Sequence, residues 1–278
     1  MTVPDQTRPS AAPGSPEAMS LGAHLDELRY RLWLALLGFV AAFFIALAGG
    51  KWFARLVFSP YRAALKAAGL EAPLQAIQPA EPFLVYLKAS LVLAALLASP
   101  WIFYQIWAFI AAGLHSSERR FVRRAAPASA ALFAGGVLFF LLGLAPWMFR
   151  FLMQFDLGLD YLVYQPSAGR TLDFILVLAL VFGLAFQTPL AIVLAERMGL
   201  VTVAAMQRSR RYVFLGAFVV GAVATPPDAL SQIALALPLY GLYELALLIC
   251  RLWPARASTA PPLDKNAGLT GVGDDQSE

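Results

Sequence analysis

An all-α polytopic membrane protein is the fold class this sequence predicts, and three observations point to it. Only 14% of the 278 residues are charged and 60% are hydrophobic, whereas a soluble domain of this size carries about 25% charge. The apolar residues gather into six runs, and a spanning helix needs about 20 predominantly apolar residues at 1.5 Å each. Seven arginines, Arg119, Arg120, Arg123, Arg124, Arg208, Arg210 and Arg211, crowd into two short gaps between runs, while the hairpin Thr225-Pro226-Pro227-Asp228 has no basic residue. Basic loops stay on the cytoplasmic side, so this asymmetry assigns sides as well as spans.

Residues 1–20 are rich in Pro, Ala and Ser and lack an apolar core, which is not the pattern of a cleavable signal peptide. They read as a disordered cytoplasmic tail, as does the Pro/Gly-rich, acid-ended stretch 254–278. The membrane domain is 21–253. It opens on Leu21, Leu25, Leu28 and Leu32 at helical spacing, an amphipathic helix expected to lie at the cytoplasmic interface. Spans follow at 32–48, 83–112 (interrupted by Pro100), 127–151, 172–194, 212–224 and 229–250. The fifth is markedly short, and the tight proline turn after it makes a hairpin with the sixth, its tip shallow on the outer side.

Fourteen basic residues fall in one set of segments and six (Lys51, Arg55, Arg62, Lys66, Arg150 and Arg170) in the opposite set, which places both termini in the cytoplasm. Pro100, Pro146, Pro189 and Pro238 lie inside spans. Each removes a backbone hydrogen bond, so the expected architecture is a cupped array of six bent helices. The net charge of +4 and pI near 9.3 do not argue for nucleic acid, because the basic residues sit at span ends, where an anionic membrane surface explains them.

A few polar residues need a reason to be where they are. Glu27 lies on the polar side of the first amphipathic helix; it either offsets Arg29 and Arg31 or presents a carboxylate to a ligand. Glu118 follows Ser116-Ser117, a natural N-cap, where an acid favours the helix dipole; it too could receive a guanidinium. Gln187 precedes Thr188-Pro189 in the fourth run and needs a partner, either a backbone carbonyl freed by the proline or a neighbouring helix. Lys88 can snorkel to the outer interface. Asp228, Gln232 and Glu244 follow along the hairpin, with Glu244, near the cytoplasmic end of the sixth span, expected to snorkel or to pair with a base. One cysteine, Cys250, and two histidines leave no disulfide framework or usual metal site. Nucleotide loops, zinc pairs and nucleophile elbows are absent from the sequence, so no cofactor and no enzymatic activity are expected.

Four strings together are more specific than any one: His24-Leu25-Asp26-Glu27-Leu28-Arg29; Tyr104-Gln105-Ile106-Trp107-Ala108-Phe109-Ile110, running through Gly113-Leu114 to Glu118-Arg119-Arg120; Gly216-Ala217-Phe218-Val219-Val220-Gly221; and Thr225-Pro226-Pro227-Asp228 with Ser231-Gln232. They resemble TatC, the six-span subunit of the twin-arginine protein translocase, over about 21–253. The resemblance implies a receptor for signal peptides bearing paired arginines, in a bacterial inner-membrane complex that exports folded proteins on the proton gradient. It implies that Glu27 and Glu118 hold those arginines, with Phe109 and Arg29 in the adjoining motifs. It also implicates Pro60, Asp228 and Gln232, and single-span TatA- and TatB-type partners packing on the fifth and sixth spans and around Gln187 in a hetero-oligomer of several copies. Two positions depart from the pattern: Gln187 stands where glutamate is frequent, and Ala112 where proline is common. The competing reading is a solute or ion transporter with Lys88, Gln187 and Glu244 along its path.

Overall fold

The structure, a computed structural model, describes residues 21–69, 74–112, 119–154, 165–225 and 228–253, without the side chains of 21, 23, 112 and 119–124. Both expected tails and Glu118 lie outside the described residues. In chain order the helices are α1 (Leu21–Val57), α2 (Ser59–Ala68), α3 (Glu81–Ala112), α4 (Arg119–Leu138), a π-helical turn (Phe139–Leu144), α5 (Ala145–Gln154), α6 (Ala168–Ala185), α7 (Thr188–Arg197), α8 (Val203–Ala224) and α9 (Ala229–Leu252). Among the described residues the sole extended pairing is an isolated bridge between Gln75 and Ser167. The all-α class is therefore what the chain adopts.

Five helical stretches are long and apolar enough to cross a membrane: His24–Ala68, Glu81–Ala111, Ala125–Gln154, Ala168–Arg197 and Ala229–Leu252. The remaining run, the short fifth one, is part of α8, whose 22 residues include Arg208, Arg210 and Arg211 in the first half, leaving only 212–224 apolar. The N-terminal amphipathic segment is not a separate element. It runs straight into the first span as one 37-residue helix, because no proline or glycine interrupts 23–37.

Small residues fasten α1 to α3. Gly38, Ala42, Ala46 and Gly50 recur every fourth residue on α1, and Ser90, Ala94 and Ala98 do so on α3. Ala42, Ala46, Ala94 and Ala98 form one buried cluster. Helices in lipid gain little from the hydrophobic effect and rely on such close approach. Here the approach leaves no room for larger groups: a Cβ at Gly50 would lie 2.0 Å from Ser90 Oγ, and one at Gly38 2.2 Å from Trp101 Cδ1. The contact lets α3 side chains reach the α1 backbone. Tyr86 donates its hydroxyl to Leu47 O at 2.6 Å and Trp101 its indole N–H to Leu34 O at 2.8 Å.

The four prolines act in two ways. Pro100 and Pro238 sit inside unbroken helices. Pro100 cannot donate to Leu96 O, and the Ser99 hydroxyl donates to that carbonyl instead, at 2.8 Å; side-chain donors of this kind make intramembrane prolines tolerable. Pro146 and Pro189 do interrupt. The π-helical turn ends where Ala145 N–H reaches back five residues to Phe140 O, widening the helix just ahead of Pro146. At Phe186-Gln187 α6 stops, and α7 restarts with Pro189 in its first turn, where the missing N–H is harmless.

The main core gathers α1–α6, the π-helical turn and Leu235 of α9 around Phe140 and Phe182, both fully buried and stacked 5.6 Å apart. Pro60 is buried at the start of α2, and the next residue, Tyr61, meets Phe149 of α5 edge to face at 5.5 Å. A smaller cluster of Val193, Met206, Tyr243, Leu247 and Cys250 joins α7, α8 and α9.

Candidate functional site

The first turns of α1 and the last turns of α3 bring sequence-distant motif residues together. His24 and Glu27 lie one turn apart on α1, with Arg31 one turn further; Gln105 and Phe109 share a face of α3. The His24 imidazole stacks on Phe109, centroids 4.5 Å apart. Arg31 Nε donates to Glu27 Oε1 at 2.7 Å and another guanidinium nitrogen donates to Gln105 Oε1 at 3.2 Å. Gln105 is 2% exposed; Glu27 and Arg31 keep about a quarter of their side-chain surface. The arrangement is a partly desolvated carboxylate at a helix-pair end, with an aromatic floor beside it. Chemically it can accept a guanidinium, since it already holds one. Arg29, two residues past Glu27, is exposed and turned off this face.

The remaining candidates are placed elsewhere. Gln187 donates its amide to Ser129 O on α4 at 3.0 Å, and the Ser129 hydroxyl accepts from Trp107 at 2.7 Å. A backbone carbonyl thus satisfies Gln187, and a carboxylate there, acceptor-only when ionised, could not make the same bond. Asp228 caps α9 by accepting from Ser231 N–H at 2.7 Å, and Gln232 donates to Phe218 O on α8 at 3.0 Å. The Gln232 bond ties α9 to α8 towards the hairpin tip. Glu244 closes the other end, accepting from Arg210 of α8 and from the Tyr240 hydroxyl, each at 2.6 Å.

A second polar group escaped the sequence reading. Glu81, 8% exposed, receives four donors: the backbone N–H groups of Ile77, Gln78 and Gly169 and the Ser167 hydroxyl. A Cβ at Gly169 would sit 2.8 Å from Glu81 Oε1, so only glycine allows that approach. Backbone bonds Gln75 N–H to Pro166 O (3.0 Å) and Ala168 N–H to Gln75 O (2.9 Å) complete the clasp. Beside it Lys88 donates to both oxygens of Asp173 on α6, at 2.6 and 2.8 Å, and these residues line a cavity of about 270 Å³. Asp173 in an otherwise apolar run was the available signal for this pair. Lys88, Gln187 and Glu244 are bonded between three different helix pairs. Among the described residues no group of three or more His, Cys, Asp or Glu is placed to hold a metal ion.

The Lys88–Asp173 pair is testable as a link between α3 and α6. Lys88→Asp and Asp173→Lys are each expected to lower thermal stability in detergent, and the double swap to recover most of the loss. The two side chains are about half exposed, so each single effect should be near 1 kcal/mol or less. A swap no better than the worse single variant would refute the link.

The family model for TatC, Sec-independent protein translocase protein, matches residues 23–238. The chain belongs to the TatC family. Curated TatC proteins are similar along most of their lengths: that of Azotobacter chroococcum mcd 1 is 38% identical over 86% of this chain and 91% of its own. Those of Aquifex aeolicus (strain VF5) and Escherichia coli (strain K12) are 34% and 32% identical, over 84% and 85% of this chain and 95% and 90% of theirs. Two crystal structures of the twin arginine translocase receptor TatC superpose with TM-scores of 0.72 and 0.74 at 32% identity, covering 82% and 81% of this chain and 98% of each. This TatC-family chain is thus a multi-pass membrane protein and a component of a Sec-independent protein translocase. Membership favours the translocase reading over the solute transporter.

Proposed function

We propose that this chain is the signal-peptide receptor and core membrane subunit of a twin-arginine translocase that exports folded proteins on the proton motive force. Glu27 and Glu118 hold the paired arginines of the cargo's signal peptide at the cytoplasmic rim, with Phe109 beside Glu27 and Arg29 on the same helix. The supporting observation is the Glu27 carboxylate engaging a guanidinium at 2.7 Å next to the His24–Phe109 stack. A guanidinium fork suits such a carboxylate better than an ammonium, which lacks its planar geometry.

In this reading the chain crosses the inner membrane six times with α8 as the short fifth span, and both termini and the arginine-rich segments face the cytoplasm. Residues 21–253 form the membrane domain, with the tails outside it. Single-span TatA- and TatB-type helices pack against α8 and α9, near Asp228, Gln232 and Glu244, and around Gln187, in an assembly of several copies. Pro60 sets the turn into α2 on the outer side.

Binding of a synthetic twin-arginine signal peptide to the chain in lipid nanodiscs tests the assignment. Glu27→Gln and Glu118→Gln should each weaken binding about tenfold or more, the scale of a hydrogen bond to a charged group. Asp26→Ala, which changes an exposed carboxylate, should have little effect. Equal losses in all three variants would sink the proposal.

A further inference from the structure

Glu27 is not an open carboxylate. Arg31, one turn along α1, holds Oε1 through Nε at 2.7 Å and is steadied from α3 by Gln105 at 3.2 Å. A substrate cation that takes Oε1, as one arm of a guanidinium fork or as an ammonium, would need that oxygen released. We infer that Arg31 is a resident competitor, a built-in stand-in for the signal-peptide arginine that occupies Glu27 until cargo displaces it; this rests on the receptor reading above.

Three features fit a displaceable occupant rather than a fixed strut. The pair is partly exposed, 24% and 26%, and ion pairs between residues four apart on a partly hydrated helix are weak. Arg31 grips one oxygen with one nitrogen, whereas an incoming fork can grip two. When displaced, Arg31 keeps its bond to Gln105, which is 2% exposed and fixed in place, so neither partner is stranded without a hydrogen bond.

The consequence is quantitative. A self-occupied site raises every ligand's apparent Kd by the same factor, the inverse of the fraction of receptor with Glu27 free. Arg31 therefore sets a threshold that a single chance arginine or lysine does not clear, while leaving the preference for arginine over lysine unchanged. A residue that merely shaped the pocket would alter that preference.

The test measures Kd for a twin-arginine and a twin-lysine signal peptide on the full chain in nanodiscs. Arg31→Gln should tighten both peptides by the same factor, about two- to sixfold for a pair of this exposure. In a Glu27→Gln background the same change should have no effect, which removes any contribution from altered local charge. Gln105→Leu, which loosens Arg31 without removing it, should shift affinity the same way by less, and serves if Arg31→Gln fails to fold. Weaker or unchanged binding in Arg31→Gln overturns the inference, as does a gain that persists without Glu27. If Glu27→Gln alone leaves binding intact, it is the receptor assignment of Glu27 that fails.

Discussion

Ala46→Leu is expected to separate α1 from α3 and to lower stability by about 1–3 kcal/mol, the scale for overpacking a filled interface. Ala46 is 1% exposed and faces Ala94 and Ala98, at 0% and 3%. Three added carbons find no void, and the rigid neighbours cannot swing away, because Tyr86 and Trp101 are bonded to the α1 backbone on either side. Gly50→Val should do more harm, since its first added atom falls 2.0 Å from Ser90 Oγ. The comparison variant is Ala48→Leu, on the same helix but exposed, which should be near neutral. Thermal unfolding in detergent, followed by size-exclusion fluorescence, measures all three. If Ala46→Leu behaves like Ala48→Leu, the small-residue ribbon is not what joins the helices. Peptide binding should fall with stability, because the ribbon sets His24 and Glu27 of α1 against Gln105 and Phe109 of α3.

Glu81→Gln is expected to open the clasp between the loop at 74–80 and the start of α6. An ionised carboxylate only accepts hydrogen bonds, which suits four converging donors; an amide turns two N–H groups toward some of them. Glu81→Asp should fail as well, its shorter stem being unable to reach Ile77 and Gly169 together. The measurement is the yield of a cross-link by a short bifunctional thiol reagent between Gln75→Cys and Pro166→Cys, whose backbones are bonded at 3.0 Å, in a background lacking the buried Cys250. Yield should drop severalfold in Glu81→Gln, in Glu81→Asp and in Gly169→Ala. Undiminished yield in all three would show that the loop is held by something other than this carboxylate.

How far the sequence disclosed these features depends on the physical range of each signal. Hydropathy is summed over a whole span, so the runs, the shortness of 212–224 and the all-helical class were readable. Local chemistry was readable in part: Pro189 announced the break beside Gln187, whereas Asp228, placed on the hairpin without a stated task, turns out to cap α9. The amphipathic start was misjudged as a separate element because a leucine stripe looks the same whether its helix ends or continues; only the absence of a breaker before Gly38 decided it. Pro100 was expected to interrupt its span, but whether a proline does so depends on who satisfies the freed carbonyl, and Ser99 satisfies that of Leu96. Partnerships between distant positions were hidden. Glu81 needs residues near 77 and 168, Lys88 needs Asp173, and Arg31 needs Gln105, 74 positions away. The pairing of Glu27 with Arg31, four apart, was by contrast open to view, and the structure adds that α3 shares in it.

The unbroken length of α1 has one more effect. At 1.5 Å per residue its 37 residues make a rod of about 55 Å, nearly twice the ~30 Å oily layer of a bilayer. Measured from Leu32, where the apolar run begins, Glu27 stands about 7 Å and His24 about 12 Å further along the rod. On the proposed receptor reading and orientation, an arriving export tag would meet a stiff mooring post raised among the lipid phosphates, and would not have to enter the oil to be caught.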